Sequence, residues 1–213
     1  MTTIVAVTPT LSDAVQSAGA TLARHAGEGH RVLAVAVFSR DGDPADAAAA
    51  AALGLAGVVH LAVDPAGRRG YDGLRAHDGL AAGDDAVKVA ATVLALALGR
   101  LEPGLVLAPL GLGGHVDDLV VQGALDELGL PRLRWVDLPY ALSRTPGAPL
   151  GAGEVVVVPA APAHLAAKLA AAAAYAGAEV QRLAEHAAAE GRRLGVGGPV
   201  ELLVQRETPP AGG

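Results

Sequence analysis

Short apolar runs alternate with helical segments along most of this chain, and no other feature limits its fold as strongly. The apolar residues 3–7 precede helical spacing over residues 13–29, and the apolar residues 31–38 follow. Further runs that predict strands come later in the chain, at residues 58–63, 105–110, 133–136, 155–158 and 201–204. Strands that alternate with helices form a parallel sheet with right-handed crossovers. We therefore predict an α/β fold, with a Rossmann-like and mostly parallel sheet and helices on both faces.

The segments between these runs predict further helices and one long loop. Residues 84–99 and 116–128 have helical periodicity, and the alanine-rich C-terminal part predicts one final helix over residues 164–189. Residues 64–83 are rich in glycine and lack periodicity. Long loops of this kind are often functional.

The loops after the first and fourth predicted strands form the candidate site. In a sheet with the strand order 3-2-1-4-5, these two strands are neighbours where the order reverses, and ligands bind there. The loops at residues 8–14 and 111–118 then face each other. The second loop combines three glycines with His115, Asp117 and Asp118, and glycines let backbone amides approach a small polar ligand.

Composition excludes several classes of partner. A net charge of -6 and an aromatic content of 2% provide neither a basic surface nor stacking platforms for nucleic acid or an anionic membrane. Cysteine is absent, which excludes disulfides and thiolate metal ligands. No apolar run reaches the roughly 20 residues of a membrane-spanning helix, and no basic segment precedes residues 4–7 as in a secretory signal. We expect a cytoplasmic protein with a single domain over residues 1–207 and a disordered tail at residues 208–213.

Both loops resemble motifs of a known family. The first reads Thr8-Pro9-Thr10-Leu11-Ser12-Asp13-Ala14 and continues to Gly19-Ala20-Thr21-Leu22, and the second reads Gly114-His115-Val116-Asp117-Asp118. They are similar to the motifs S/A-P-H-P-D-D-E-x-x-G-x-G-G-T-L and G-H-x-D-H of the PIG-L/LmbE-like zinc-dependent de-N-acetylases, which remove acetyl groups from N-acetylglucosamine-type sugars. Further similarities lie at residues 28–30, 51–63, 137–141 and 168–170. The resemblance implies an LmbE-like version of the predicted fold.

The resemblance also assigns roles to residues of the two loops. The zinc ligand positions of the family correspond to Thr10, Asp13 and Asp118, and the position of the general base corresponds to Ser12. Only Asp13 is unchanged. His115 corresponds to the electrophilic or general-acid histidine, and Asp117 to the residue that orients it.

These replacements change the chemistry that the loops can support. A catalytic zinc takes three protein ligands and one water, and Thr10 is a poor ligand. Asp13 and Asp118 form an oxygen-only pair that suits Mg²⁺, Ca²⁺ or Mn²⁺ better. Ser12 is no carboxylate base, and loss of such a group costs about 10²–10⁴-fold in rate. We expect no zinc, or at most a weakly bound divalent cation.

The sequence leaves three interpretations of these loops open. The favoured one is a non-hydrolytic or strongly impaired homologue of the zinc enzymes. This includes a protein that binds a small sugar-like ligand between the two loops without catalysing a reaction. The alternative is an active metal-dependent deacetylase or amidase with a rearranged site. In a third interpretation the glycines only permit a tight turn and Asp117 or Asp118 caps the next helix. His77 in the long loop is a further candidate for the border of the cleft, and the alanine-rich surface is compatible with a homo-oligomer.

Overall fold

A seven-stranded sheet forms the centre of the computed structural model, which describes residues 1–40, 42–144 and 147–205. The strands are β1 (Thr3–Thr8), β2 (Arg31–Ala36), β3 (Gly57–His60), β4 (Leu105–Pro109), β5 (Leu133–Trp135), β6 (Glu154–Pro159) and β7 (Val200–Gln205). Their order in the sheet is β3-β2-β1-β4-β5-β7-β6. The pairs from β3 to β5 are parallel, whereas β7 runs antiparallel to both β5 and β6. The predicted α/β class and the neighbouring positions of β1 and β4 are confirmed.

Helices cover both faces of the sheet. They are α1 (Leu11–Gly27), α2 (Pro44–Leu53), α3 (Ala86–Leu101), α4 (Val116–Glu127), α5 (Pro162–Ala172) and α6 (Val180–Arg193). The alternation of side chains along β1 divides the core in two, because successive residues of a strand point to opposite faces. Ile4 and Ala6 pack with α1, α2, α5 and α6, whereas Val5 and Val7 pack with α3 and α4.

The prediction of one final helix over residues 164–189 is wrong. Helix α5 ends at Ala172 and α6 begins at Val180. Between them Gly177 has a φ of 81°, which a right-handed helix does not contain. The high helix propensity of the surrounding alanines predicts a continuous helix and gives no sign of this break. The predicted tail, residues 208–213, lies outside the described residues, and no helix among those described is long and apolar enough to cross a bilayer.

Helix α1 is interrupted near its middle, and a distant carboxylate satisfies the backbone groups that the interruption exposes. Ala18 has non-helical dihedral angles of φ -129° and ψ 15°. Beyond it, the backbone amides of Ala20 and Thr21 donate to the two carboxylate oxygens of Glu201 on β7, over 3.0 and 2.7 Å. The Thr21 hydroxyl donates to the same carboxylate at 2.7 Å. Glu201 therefore caps the second half of α1 from another part of the chain.

A buried lysine completes this network. The Nζ atom of Lys168 on α5 donates to Glu201 at 2.6 Å, and the lysine is 1% exposed. The stem of Lys168 passes directly over Gly19, where a Cβ atom would lie 2.9 Å from Cγ of the lysine. The Gly19-Ala20-Thr21-Leu22 segment of the first motif thus provides space for Lys168 and three of the four donors to Glu201.

We expect Glu201→Ala to lower the free energy of unfolding by about 3–5 kcal/mol, because it leaves the Lys168 ammonium buried without a counter-charge. Urea denaturation at neutral pH measures this change. The control is Arg182→Ala, which removes an exposed ion pair with Glu179 and should cost less than about 1 kcal/mol. Equal effects of the two substitutions would contradict the structural role of Glu201.

Candidate functional site

The loops after β1 and β4 face each other across a cleft at the carboxyl edge of the sheet. The cleft has a volume of about 200 Å³. Its lining comprises Pro9, Thr10, Asp13, Ser17, His115, Asp117, Asp118, Asp137, Leu138 and Tyr140. Five of the six residues that the sequence singled out for this site therefore meet around one cavity. The sixth, Ser12, is not among the lining residues, and its Oγ accepts a hydrogen bond of 2.9 Å from Gln16 on the same helix.

Thr10 and Asp13 are bound to each other at the start of α1. Thr10 is the N-cap residue, and both its backbone amide and its hydroxyl donate to Oδ2 of Asp13, over 2.9 and 2.7 Å. Burial raises the pKa of Asp13 above its ordinary value, and the hydrogen bonds from Thr10 oppose this shift. One oxygen of Asp13 is therefore used in the helix cap, and the Thr10 hydroxyl is used as a donor to it.

Asp118 is the exceptional carboxylate of the cleft. It is 6% exposed and lines the cavity, yet its side chain makes no hydrogen bond to any described residue. Burial raises the pKa of Asp118 well above its ordinary value, and the negative charges of Asp137, Asp13 and Asp117 add to this effect. The folded chain thus keeps a desolvated carboxylate beside three others, which is unfavourable for stability and typical of functional sites.

His115 begins helix α4. It is the N-cap residue, and its Nδ1 accepts the backbone N–H of Asp117 at 3.2 Å. The helix cap is thus neither Asp117 nor Asp118, which the third interpretation of the sequence had considered. Because Nδ1 accepts this bond, the proton of the neutral ring lies on Nε2. The nearest carboxylate oxygen of Asp117 is 4.0 Å from Nδ1, so this carboxylate does not hydrogen-bond to the ring.

The carboxylate of Asp117 instead binds the long loop over residues 64–83. Its Oδ1 accepts from Nη2 of Arg69 at 2.6 Å and from the backbone amide of Ala66 at 3.1 Å. Nη1 of Arg69 donates to Asp84 at 2.8 Å, and the guanidinium lies over the ring of Tyr71, 5.3 Å from its centroid. The sequence alone does not indicate this role of Arg69, because no local pattern predicts the partner of an arginine in a glycine-rich loop.

His77 brings the same loop to the mouth of the cleft, as the sequence suggested. Its Nδ1 lies 2.8 Å from the carbonyl oxygen of Gly113 and carries the proton, since a carbonyl only accepts. The His77 ring makes edge contacts with the rings of His115 and Tyr140, at centroid distances of 5.2 and 5.7 Å. The border of the cleft thus combines two imidazoles and a phenol.

The glycine-rich loop is shaped by the segment that follows β5. The ring of Tyr140 packs directly on Gly113, where a Cβ atom would lie 2.5 Å from it. Asp137 accepts the backbone amides of Leu110 and Leu112, over 3.2 and 2.7 Å. Burial raises the pKa of Asp137 to about 6 despite these bonds. Tyr140 and Asp137 lie in the third stretch of sequence similarity, whose contribution to the cleft the sequence alone did not identify.

Among the residues of the cleft that the structure describes, no three carboxylate or imidazole ligand atoms lie within 4.8 Å of one another. Among the described residues, only His25, Glu28 and His30 place three imidazole or carboxylate atoms within 4.8 Å of one another. These three residues lie at the other end of α1, where the helix ends at Gly27.

Several solved deacetylases share this fold. A deacetylase–teicoplanin complex from teicoplanin biosynthesis has a TM-score of 0.76 at 25% identity, over 96% of this chain and 97% of that chain. The zinc-inhibited form of teicoplanin deacetylase has a TM-score of 0.75 at 22% identity, over 99% and 100% of the two chains. N,N′-diacetylchitobiose deacetylase from Pyrococcus horikoshii has a TM-score of 0.60 at 16% identity, over 95% and 82%.

No family model and no curated protein matches the sequence. The fold of this chain is nevertheless that of the PIG-L/LmbE-like de-N-acetylases, to which these solved structures belong. The resemblance expected from the two loops is thereby confirmed at the level of the fold.

We expect Arg69→Ala to destabilise the protein by about 3 kcal/mol, because it leaves the carboxylates of Asp117 and Asp84 without their cation. Amide hydrogen exchange should also accelerate in the loop over residues 64–83. Arg68→Ala is the matched control, because the neighbouring arginine is 59% exposed and lies 3.5 Å from Asp64. Equal exchange in the two variants would mean that Arg69 does not hold the loop.

We expect Asp118→Asn to stabilise the protein at pH 7, because the amide carries no charge that folding must bury. The folded-state pKa of Asp118 is raised above 3.8, so its charged form opposes folding. Below pH 3.8 the carboxyl group is protonated in both the folded and the unfolded chain and does not oppose folding. As the pH rises through the raised pKa, the group ionises and this part of the stability is lost. The stabilisation by Asp118→Asn, measured by urea denaturation, should therefore be smaller at pH 4 than at pH 7. The exposed Asp78→Asn serves as the control, and a variant no more stable than the wild type at pH 7 would contradict this prediction.

Proposed function

We propose that this chain is a relative of the PIG-L/LmbE-like de-N-acetylases with a degenerate zinc site, and that its cleft binds a small sugar-like ligand without hydrolysing it. The observation that carries the proposal is the set of donors at the positions of the family's three metal ligands and its general base. These positions hold Thr10, Asp13, Asp118 and Ser12. Three of the four residues therefore differ from the motif of the zinc enzymes.

The donors do not fit a catalytic zinc. Such an ion takes three protein ligands, most often histidines or carboxylates, and leaves one position for water. The Thr10 hydroxyl donates its proton to Asp13, and the same oxygen of Asp13 accepts the Thr10 amide. Asp118 has a shorter side chain than the histidine of the family motif. Ser12 cannot act as a carboxylate base, and its hydroxyl pairs with Gln16.

The cleft retains groups that suit a hydroxylated ligand with an amino group. Asp13, Asp117, Asp118 and Asp137 line one cavity, and carboxylates accept hydrogen bonds from hydroxyls and ammonium groups. Asp118 has no hydrogen-bond partner among the described residues. A hydrogen-bond donor of a ligand would therefore compensate for the desolvation of this carboxylate without breaking an existing hydrogen bond. Nε2–H of His115 supplies a donor for a ligand oxygen. We therefore favour an amino sugar over its neutral N-acetylated form.

A second candidate is an active metal-dependent deacetylase with a rearranged site. The specific observation in its favour is the oxygen-rich lining of the cleft, since carboxylates are the preferred ligands of Mg²⁺, Ca²⁺ and Mn²⁺. In this candidate Asp13 and Asp118 would hold the ion. It shares the fold with the first candidate, so only activity and metal content distinguish the two.

The experiment compares the wild type with the restored variant Thr10→His/Ser12→Asp/Asp118→His. We expect the wild type to release no acetate from N-acetylglucosamine above the protein-free rate, with Zn²⁺, Mg²⁺ or Mn²⁺ added. The restored variant should bind one more equivalent of zinc and release acetate at least about 10²-fold faster, because it regains two ligands and the base. Acetate release and calorimetric zinc titration are the measurements, and His115→Ala in the restored variant should remove the activity.

The ligand is tested by calorimetry with glucosamine, glucose and N-acetylglucosamine. Glucosamine should bind most tightly, and Asp118→Asn should weaken it by more than about tenfold, whereas Asp78→Asn should not. Metal-dependent acetate release by the wild type that His115→Ala abolishes would contradict the proposal and favour the active enzyme. If the Asp118→Asn variant bound each of the three sugars with the same affinity as the wild type, the assigned ligand class would be contradicted.

A further inference from the structure

A cluster of two histidines and a glutamate lies at the end of α1 that is remote from the cleft. His25 is in the last turn of the helix, and Glu28 is its C-cap residue. Gly29 then takes a φ of 82°, a left-handed conformation that turns the chain back. His30 follows this turn, and its ring lies 5.7 Å from the ring of His25. The turn thus brings three metal-ligating side chains to one surface.

The ligand atoms of this cluster lie slightly farther apart than a tetrahedral ion requires. Nδ1 of His25 lies 3.4 Å from Oε2 of Glu28, and Nε2 of His30 lies 4.0 Å from the same oxygen. All three ligand atoms lie within 4.8 Å of one another. Two ligands at about 2.0 Å from a tetrahedral zinc are about 3.3 Å apart. Small side-chain rotations would therefore bring the three atoms to binding distance.

The environment leaves these atoms available. Nδ1 of His25 is buried and makes no hydrogen bond to a described residue. Nε of Arg24 binds Oε1 of Glu28 at 2.7 Å, which orients the carboxylate and leaves Oε2 directed at the two rings. Nδ1 of His30 accepts only a long 3.4 Å bond from the Thr2 amide. A metal at Nε2 would replace that weak contact, because the ring proton would then lie on Nδ1.

We propose that His25, Glu28 and His30 form a binding site for Zn²⁺ or a similar divalent cation such as Co²⁺ or Ni²⁺. Two imidazoles and one carboxylate suit these borderline ions, and water fills the remaining position. The site lies apart from the cleft, since Asp13 and His25 are 12 positions apart on α1, which is about 18 Å along a helix. A metal bound there joins the end of α1 to the start of β2 and stabilises the folded chain.

The test is calorimetric titration of the tag-free protein with zinc chloride. We expect one equivalent to bind the wild type, and His25→Gln, Glu28→Gln and His30→Gln each to weaken it by more than about tenfold. His186→Gln removes another half-buried helical histidine and should leave the affinity unchanged. Added zinc should raise the melting temperature of the wild type and of His186→Gln, but not that of Glu28→Gln.

Three outcomes would overturn the proposal. These are the absence of zinc binding by the wild type, an affinity that none of the three ligand substitutions changes, and an affinity lost only in Asp13→Asn/Asp118→Asn, which would place the ion in the cleft. Glu28 is 41% exposed, so Glu28→Gln is expected to fold and keeps the test decisive if a histidine variant does not. Cobalt absorption bands of tetrahedral intensity, lost in the same three variants, would support the assigned ligands.

Discussion

One buried carboxylate, Glu201, joins the helix that opens the cleft to the rest of the core. It accepts hydrogen bonds from two backbone amides and a hydroxyl of α1 and from the ammonium group of Lys168 on α5, and both charged side chains are buried. Hydrogen bonds to charged groups are strong in such surroundings, and an unmet partner there is costly. Because α1 also supplies Asp13 to the cleft, the position of the site depends on this contact.

The four carboxylates of the cleft look alike in sequence and differ in their partners. Asp13 accepts Thr10, Asp117 accepts Arg69, and Asp137 accepts backbone amides of the glycine-rich loop. Each of these three therefore holds part of the structure in place. Asp118 holds nothing among the described residues and is nevertheless buried. In physical terms it is the residue of the cleft that a hydrogen-bond donor of a ligand would satisfy.

The fold and the two loops that line the cleft could be predicted from the sequence, because both follow from local patterns. Apolar runs of strand length and helical periodicity located β1, β4 and α4, and glycines indicated the loop between β4 and α4. The break between α5 and α6 was missed, since alanine propensity outweighed one glycine. The antiparallel place of β7 between β5 and β6, and the pairing of Arg69 with Asp117, could not be predicted, because no local pattern encodes a contact between distant segments.

The sequence by itself determined the α/β class, the meeting of two loops at the carboxyl edge, and a resemblance of these loops to a zinc hydrolase motif with different residues at three positions. Only the tertiary structure decided what the remaining residues do. It bound Asp13 to Thr10, turned Asp117 away from His115 towards Arg69, and left Asp118 alone. It also gathered His25, Glu28 and His30 at a turn far from the cleft. The reason is that a residue type defines which bonds a side chain can make, whereas the packing of distant segments selects its partner.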